Sequence, residues 1–387
     1  MTTQAAVVDR LEPQPRSAYV HVPFCRHRCG YCNFTLIAGR DDLIGSYLEA
    51  LALELSWLER SRAVDTLFLG GGTPTHLPPR ELDRLLELVL RWFPLAEDAE
   101  FSVEANPADI DRERAAVLAS YGVTRVSLGA QSFRAEKLRV LERDHDAAQI
   151  ARAVAECKRF ASSVSLDLIF GTPGETLDDW KSDLAQAIAL TPQHVSTYGL
   201  TIEKGTPFFM RTERGELTKA GEELEAVMYE TAIDTLAANG YEHYEVSNFA
   251  RPGFACRHNQ TYWRHQPFFA AGPGAASFLG GTRSVNHRST TTYLARLRAG
   301  ESPIAESETL SPEDSARERL VFGLRQLGGV HRGEFLGATG YRIEQLGGRA
   351  LEEFLALGML EIAGERLRLT RRGLLISDAL WPELLGS

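Results

Sequence analysis

From about residue 18 to residue 200 one pattern repeats along the chain. A short apolar run is followed by a polar or glycine-rich connection, then by a stretch with apolar residues at helical spacing. The apolar runs predict six strands, at residues 18–22, 66–69, 100–104, 125–129, 164–169 and 194–200. The intervening stretches predict helices at 41–58, 79–92, 111–121, 147–160 and 177–190, with Leu43, Tyr47, Leu51 and Leu58 setting the period of the first. Strand and helix alternating at intervals of about thirty residues imply parallel strands joined by right-handed crossovers. Six such units fit an α/β fold of the incomplete (β/α)6, TIM-like barrel type better than a full eight-stranded barrel. An open doubly wound sheet is the alternative. In either case the polar, glycine-rich residues fall just after strands, where parallel α/β folds build their sites.

After residue 200 the texture changes. Residues 218–239 predict a long helix with Thr218 as N-cap and Gly240 closing it. Residues 241–308 read as irregular, rich in aromatics, glycine and asparagine. From residue 309 short helices are predicted at 315–327, 332–339 and 341–357, then a hairpin turning at Gly364. This resembles a winged-helix-like domain. Residues 309–387 carry ten basic against eleven acidic residues, so a structural or protein-contact role fits better than DNA binding. The division is therefore a loose tail at 1–17, a barrel at 18–240, an irregular segment at 241–308 and a C-terminal domain at 309–387.

Composition narrows the function. The 387 residues are 44% hydrophobic and 24% charged, as in an ordinary globular chain, and the net charge of −10 argues against a nucleic-acid partner. No apolar run has transmembrane length, and the first 17 residues have no signal-peptide core. The expectation is a cytoplasmic protein in a reducing compartment.

Chemistry concentrates at Tyr19-Val-His-Val-Pro-Phe-Cys-Arg-His-Arg-Cys-Gly-Tyr-Cys-Asn-Phe34. Three of the five cysteines, Cys25, Cys29 and Cys32, lie within eight residues. Pro23 ends the strand and Gly30 lets the following loop curl. Three thiolates on one loop can hold three corners of an iron–sulfur cube and leave the fourth iron open. Zinc would need a fourth ligand, and His27 between the cysteines would tend to point away. A disulfide does not suit three clustered cysteines in a reducing setting.

Further motifs follow the later strands. Gly70-Gly71-Gly72-Thr73-Pro74 leaves backbone groups uncovered for a ligand, and it lacks the Lys-Ser/Thr of a phosphate loop. Glu104 ends a strand where a carboxylate can accept bonds from ribose hydroxyls. Gln131 and Ser132 follow the next strand. Asp167 interrupts an apolar strand and needs a partner, for which Arg143 is a candidate, unless Arg143 meets a ligand carboxylate. His258-Asn-Gln-Thr-Tyr-Trp263 offers an imidazole beside flat aromatic faces, and Cys256 is an alternative thiolate. A hydrogen-bonded loop with core aromatics is the plainer reading of that segment. Cys157 reads as inert core.

The Cys-x3-Cys-x2-Cys spacing with an aromatic before the last cysteine resembles the radical SAM signature. Taken with Gly-Gly-Gly-Thr-Pro-Thr, Val-Glu-Ala-Asn-Pro, Gly-Ala-Gln-Ser-Phe and Asp-Leu-Ile-Phe-Gly, the order resembles the oxygen-independent coproporphyrinogen III oxidase family over residues 18–380. The resemblance implies a radical SAM barrel with a 4Fe–4S cluster on the three cysteines and S-adenosylmethionine on the open iron. It places a first S-adenosylmethionine near Tyr19, Gly71 and Glu104. A second falls near Tyr31, Gly72, Thr73, Gln131, Arg143 and Asp167. Within the family, Phe34 stands where the true oxidases have a further cysteine, and seventeen leading residues are too few for their longer N-terminal segment. Both features and His-Asn-x-x-Tyr-Trp resemble the haem-chaperone branch, HemW. That branch implies haem, bound near His258, an acceptor protein such as a respiratory haem protein, and an electron donor for the cluster. The oxidase itself, which decarboxylates coproporphyrinogen propionates, is the enzymatic alternative. A radical SAM enzyme acting on another substrate is a third.

Overall fold

The computed structural model describes residues 14–386. Six parallel strands form its centre: β1 (Ser17–Val22), β2 (Val64–Gly71), β3 (Leu95–Ala105), β4 (Arg125–Gln131), β5 (Ser163–Phe170) and β6 (His194–Gly199). They lie in sequence order within a nine-stranded sheet. Strand Phe269–Ala271 extends the β1 edge in parallel, and Asn248–Ala250 and Glu242–Glu245 extend the β6 edge antiparallel. This is the incomplete barrel, with helices Ile44–Ser56, Pro79–Trp92, Arg112–Ser120, Ala147–Cys157 and Leu177–Ala189 as crossovers.

Period two along each strand sorts the faces. Val20, Val22, Leu67, Leu69, Phe101, Val103, Val126, Leu166 and Val195 point to the helices and belong to one large core. The opposite face carries Tyr19, His21, Phe68, Glu104, Ser127, Ser165, Asp167 and Ser196. A fully covered parallel strand is ordinarily apolar on both faces. Polar residues on the inner face therefore mark an interior built to hold something other than side-chain packing.

Several boundaries differ from the sequence reading. Residues 1–13 of the expected tail lie outside the described residues. Arg16 and Ser17 do not behave as a tail, because Arg16 pairs with Asp65 at 2.6 Å and Ser17 is buried in β1. The long helix starts at Glu222 with Gly221 as its N-cap, not at Thr218, and three glutamates suit its first turn. Residues 241–308 are not irregular. They contain helices Arg257–Trp263 and Thr290–Arg298 and a three-stranded antiparallel sheet of Ala276–Leu279, Thr282–Asn286 and Ile304–Thr309. Its last strand is exposed throughout and polar but for Ile304 and Ala305, so no apolar alternation announced it.

Toward the C-terminus, helices Pro312–Arg325, Arg332–Thr339 and Ile343–Ala356 pack with strands Leu360–Ala363 and Arg366–Leu369. Leu320, Leu324, Phe335, Leu351, Leu360 and Leu367 form a second core. Gly364, at φ +60°, turns the hairpin. No described helix is long and apolar enough to cross a membrane.

Candidate cluster and cofactor site

The cysteine loop leaves the C-terminal end of β1. Phe24–Cys25 pairs in parallel with Ile37–Ala38, and the Ile37 amide donates to the Pro23 carbonyl at 2.7 Å, which pins both ends of the loop. Arg28 fastens the middle by donating to the carbonyls of Cys32, Phe34 and Leu36. Gly30 is required for space rather than for curling. A Cβ there would stand 2.4 Å from the Phe208 ring, whose own amide donates to the Gly30 carbonyl.

Cys25, Cys29 and Cys32 border one cavity of about 410 Å³. The same cavity is lined by Tyr31, Gly71, Gly72, Thr73, Glu104, Gln131, Arg143 and Asp167. Eight of the ten expected cofactor residues are thus gathered around the three thiols at the C-terminal ends of the strands. Thr73 Oγ1 lies 3.3 Å from Cys25 Sγ, and Arg143 Nη1 lies 3.4 Å from Cys29 Sγ. Burial pushes the Cys25 thiol up to about 11 and also raises Cys32. Such thiols stay protonated until a cation takes the proton's place.

Glu104 Oε2 accepts from the Gly71 amide at 2.9 Å, and burial pushes this carboxyl up to about 7. Gly71 has φ +109°, and a Cβ there would strike the His21 ring at 2.3 Å. Asp167 accepts from Ser127 at 3.1 Å and more distantly from Ser165. Arg143 does not pair with it. Its Nη2 donates to the Gly129 carbonyl at 3.1 Å, and its buried Nε meets no hydrogen-bond acceptor. The suggested Arg143–Asp167 pair is therefore absent, because serine hydroxyls already satisfy the carboxylate.

The remaining two expected residues lie elsewhere. Tyr19 does not line the cavity; its hydroxyl is 3.0 Å from His21 Nδ1 and its ring packs on Phe68 and His258. His258 sits on the helix Arg257–Trp263, which plugs the opposite, N-terminal end of the barrel. Glu100 Oε2 and Oε1 accept from the Arg257 and His258 amides, each at 3.0 Å. Both ring nitrogens of His258 are taken, Nδ1 by Thr66 Oγ1 at 2.9 Å and Nε2 by Tyr262 Oη at 2.7 Å. The residue is 1% exposed, and burial holds it down at about 3. The structure thus corrects the picture of an open imidazole flanked by aromatic faces: in this fold His258 is a satisfied floor residue. Cys256 is equally buried, pushed up to about 12 and directed at Glu100, so it offers no thiolate.

Sequence reasoning missed Ser127, Tyr198, Leu200 and Glu203, which also line the cavity. Ser127 and Tyr198 were legible in principle, standing two residues from Gly129 and Ser196 on the same inner face.

Among the described residues no three His, Cys, Asp or Glu side chains close on the spacing of a single metal ion. Three thiols bordering one cavity are what a multi-iron cluster needs, and the Arg143 guanidinium and the bare Gly71–Gly72 backbone on the same cavity suit a polar cofactor beside it. The donor set therefore fits a cluster with an added ligand.

The fold and this site define a radical SAM partial barrel with an added C-terminal domain. Residues 19–187 match the radical SAM superfamily model, and residues 310–376 match the HemN C-terminal domain. Superfamily membership implies a 4Fe–4S cluster and S-adenosylmethionine. The structure titled coproporphyrinogen III oxidase (HemN) from Escherichia coli superimposes with a TM-score of 0.83 at 22% identity, over 96% of this chain and 90% of that one, which establishes the shared fold. The heme chaperone HemW of Lactococcus lactis is 36% identical, over 96% of this chain and 98% of its own length. That of Mycobacterium tuberculosis is 38% identical, over 96% and 95%. The chain belongs to the HemW family of radical SAM proteins.

Proposed function

We propose that the protein is a haem chaperone that carries a 4Fe–4S cluster and S-adenosylmethionine and passes haem to an acceptor protein. The observation that carries this reading is the cavity on which three free thiols, a bare glycine turn and buried Glu104, Arg143 and Asp167 converge, in a chain that aligns nearly end to end with HemW proteins. Cys25, Cys29 and Cys32 would hold three irons. Gly71, Gly72, Thr73 and Glu104 would hold the amino and ribose groups of S-adenosylmethionine, and Arg143 its carboxylate. Gln131 and Asp167 present further polar groups, and Tyr31 covers one side. The bound cluster supplies a single-electron source next to a sulfonium. Segment 18–240 would house these cofactors, 241–308 would floor the barrel and edge its mouth, and 309–387 would serve as a contact module.

Replacing all three cysteines with alanine should abolish the broad visible absorbance after anaerobic reconstitution, and persistence would remove the cluster from this loop. Haem added to the reconstituted wild type should bind. Incubation with coproporphyrinogen III, reductant and S-adenosylmethionine should give no protoporphyrinogen IX. Robust product would replace the chaperone by the oxidase, whose fold the chain shares.

A further inference from the structure

Iron porphyrin presents three things to a protein: a flat apolar disc, two carboxylates and a metal that takes an axial ligand. The floor motif supplies none of these from the outside, since His258 and Cys256 are sealed and committed. A free imidazole exists elsewhere. Nine of the ten histidines have a ring nitrogen in a hydrogen bond. The tenth, His287, has none; among the described residues its ring makes no bond, ion pair or ring contact, and it is half-buried.

The surroundings of His287 supply the other two requirements. Its carbonyl accepts from the Gly274 amide at 3.0 Å, and Gly274 packs directly against Thr35 of the cysteine loop. Its neighbour Arg288 donates to the Asn33 carbonyl at 2.8 Å and approaches Thr35 Oγ1 at 3.2 Å. Between those two contacts stands Phe34, 59% exposed, the most exposed large apolar side chain of the described residues. Phe34 borders the cavity two residues beyond Cys32. Its carbonyl also accepts from Arg28. Arg28 and Arg288 are both exposed, both donate to neutral oxygens, and among the described residues neither forms an ion pair with a carboxylate. Two exposed arginines therefore bond to the backbone on either side of the bare Phe34 ring, and the histidine whose ring is uncommitted among the described residues adjoins one of them in the chain.

We propose that haem binds at this mouth, its disc against Phe34, its propionates toward Arg28 and Arg288, and its iron ligated by His287. This rests on the chaperone reading and gives it a location. It puts the cargo against the loop that holds the cluster cysteines, so a change of state at the cluster bears directly on the haem contact.

The test is an anaerobic titration of reconstituted full-length protein with haemin, read by Soret absorbance and electron paramagnetic resonance. His287→Ala should shift the Soret band and weaken binding about tenfold or more, the scale of one lost ligand contact of about 1.4 kcal/mol. Added free imidazole should restore the spectrum. Phe34→Ala should weaken binding without altering the axial signature. A wild type that binds haem alongside a His287→Ala variant with the same affinity and spectrum overturns the location while leaving the chaperone reading intact. A wild type that takes up no haem overturns the reading itself.

Discussion

His258→Ala separates a structural motif from a haem ligand. In the structure the imidazole accepts or donates at both nitrogens, to Thr66 Oγ1 at 2.9 Å and Tyr262 Oη at 2.7 Å, and packs on Tyr19 and Phe68. Truncation would strand two buried hydroxyls, each at about 1–3 kcal/mol. It would also open a void, and buried ring-to-alanine changes cost about 3–5 kcal/mol in total. Partial overlap between these losses gives an expected destabilisation of about 3–5 kcal/mol, against a whole-domain stability of about 5–15 kcal/mol. The variant should fold, and its urea midpoint, followed by circular dichroism on the cluster-free protein, should fall clearly. Haemin affinity measured well below the unfolding transition should change little. A variant as stable as wild type but unable to bind haemin would refute the assignment of this histidine to the barrel floor.

Three other perturbations probe different parts of the fold. Burial pushes Glu54 up to about 7 even though Tyr293, Gly272 and Asn286 donate to it. A carboxyl with a raised folded pKa favours the folded state most below its ordinary value near 4.5 and loses that contribution as pH rises to 7. Glu54→Gln should therefore remove about 3 kcal/mol of stability loss between those limits, and parallel wild-type and variant curves of urea midpoint against pH would refute it. Lys137 is buried against Glu175 and Asp183. Lys137→Met leaves two buried carboxylates without their cation, at about 3–5 kcal/mol, and an unchanged melting temperature would count against this pairing. Gly72→Ala would bring a Cβ within 2.7 Å of the Phe24 carbonyl oxygen and 2.8 Å of that of Val22, neither of which can step aside without moving the cysteine loop. Iron content after anaerobic reconstitution should drop, and full iron loading would refute the tight placement of this turn.

The strands of the barrel were legible because each apolar run had to be buried on its helix-facing side. Residues 79–92 and 332–339 matched in full, the first marked by Pro79 and Trp92 and the second closed by Gly340 at φ +82°. Thr218 misled because a good capping side chain says nothing about where tertiary contacts let a helix begin. Strand Ile304–Thr309 was hidden for the opposite reason, its residues being exposed and mostly polar. In the site, Cys25, Cys29, Cys32, the glycine turn and Glu104 were readable as local chemistry on strand ends. The fate of His258 was not, because nothing in its own segment reveals that Thr66 and Glu100 wait for it from strands more than 150 residues away.

The inner face of the barrel makes sense only if its two ends do different things. At the floor the central acid and imidazoles are matched by hydrogen bonds, Glu100 to two helix amides, His258 to two hydroxyls and His194 to Ser165 and Tyr244, although Arg125 Nε and Trp263 Nε1 nearby are left without a partner. At the cavity Arg26 and Asp109 pair at 3.0 Å, but Arg143 is kept apart from Glu104 and Asp167. Asp167 is satisfied by hydroxyls and Glu104 by one amide, while Arg143 is held by a carbonyl, a thiol and the Tyr31 side chain. An interior selected for stability alone would let Arg143 meet one of these acids, since buried charges are costly unless paired. Neutral partners that hold an arginine and two carboxyls in separate places preserve their capacity for a ligand that carries both charges, as an amino acid headgroup does. That separation supports the proposed binding of such a ligand at the cavity, while the hydrogen bonds at the floor tie the helix Arg257–Trp263 to the strand starts through Thr66 and Glu100.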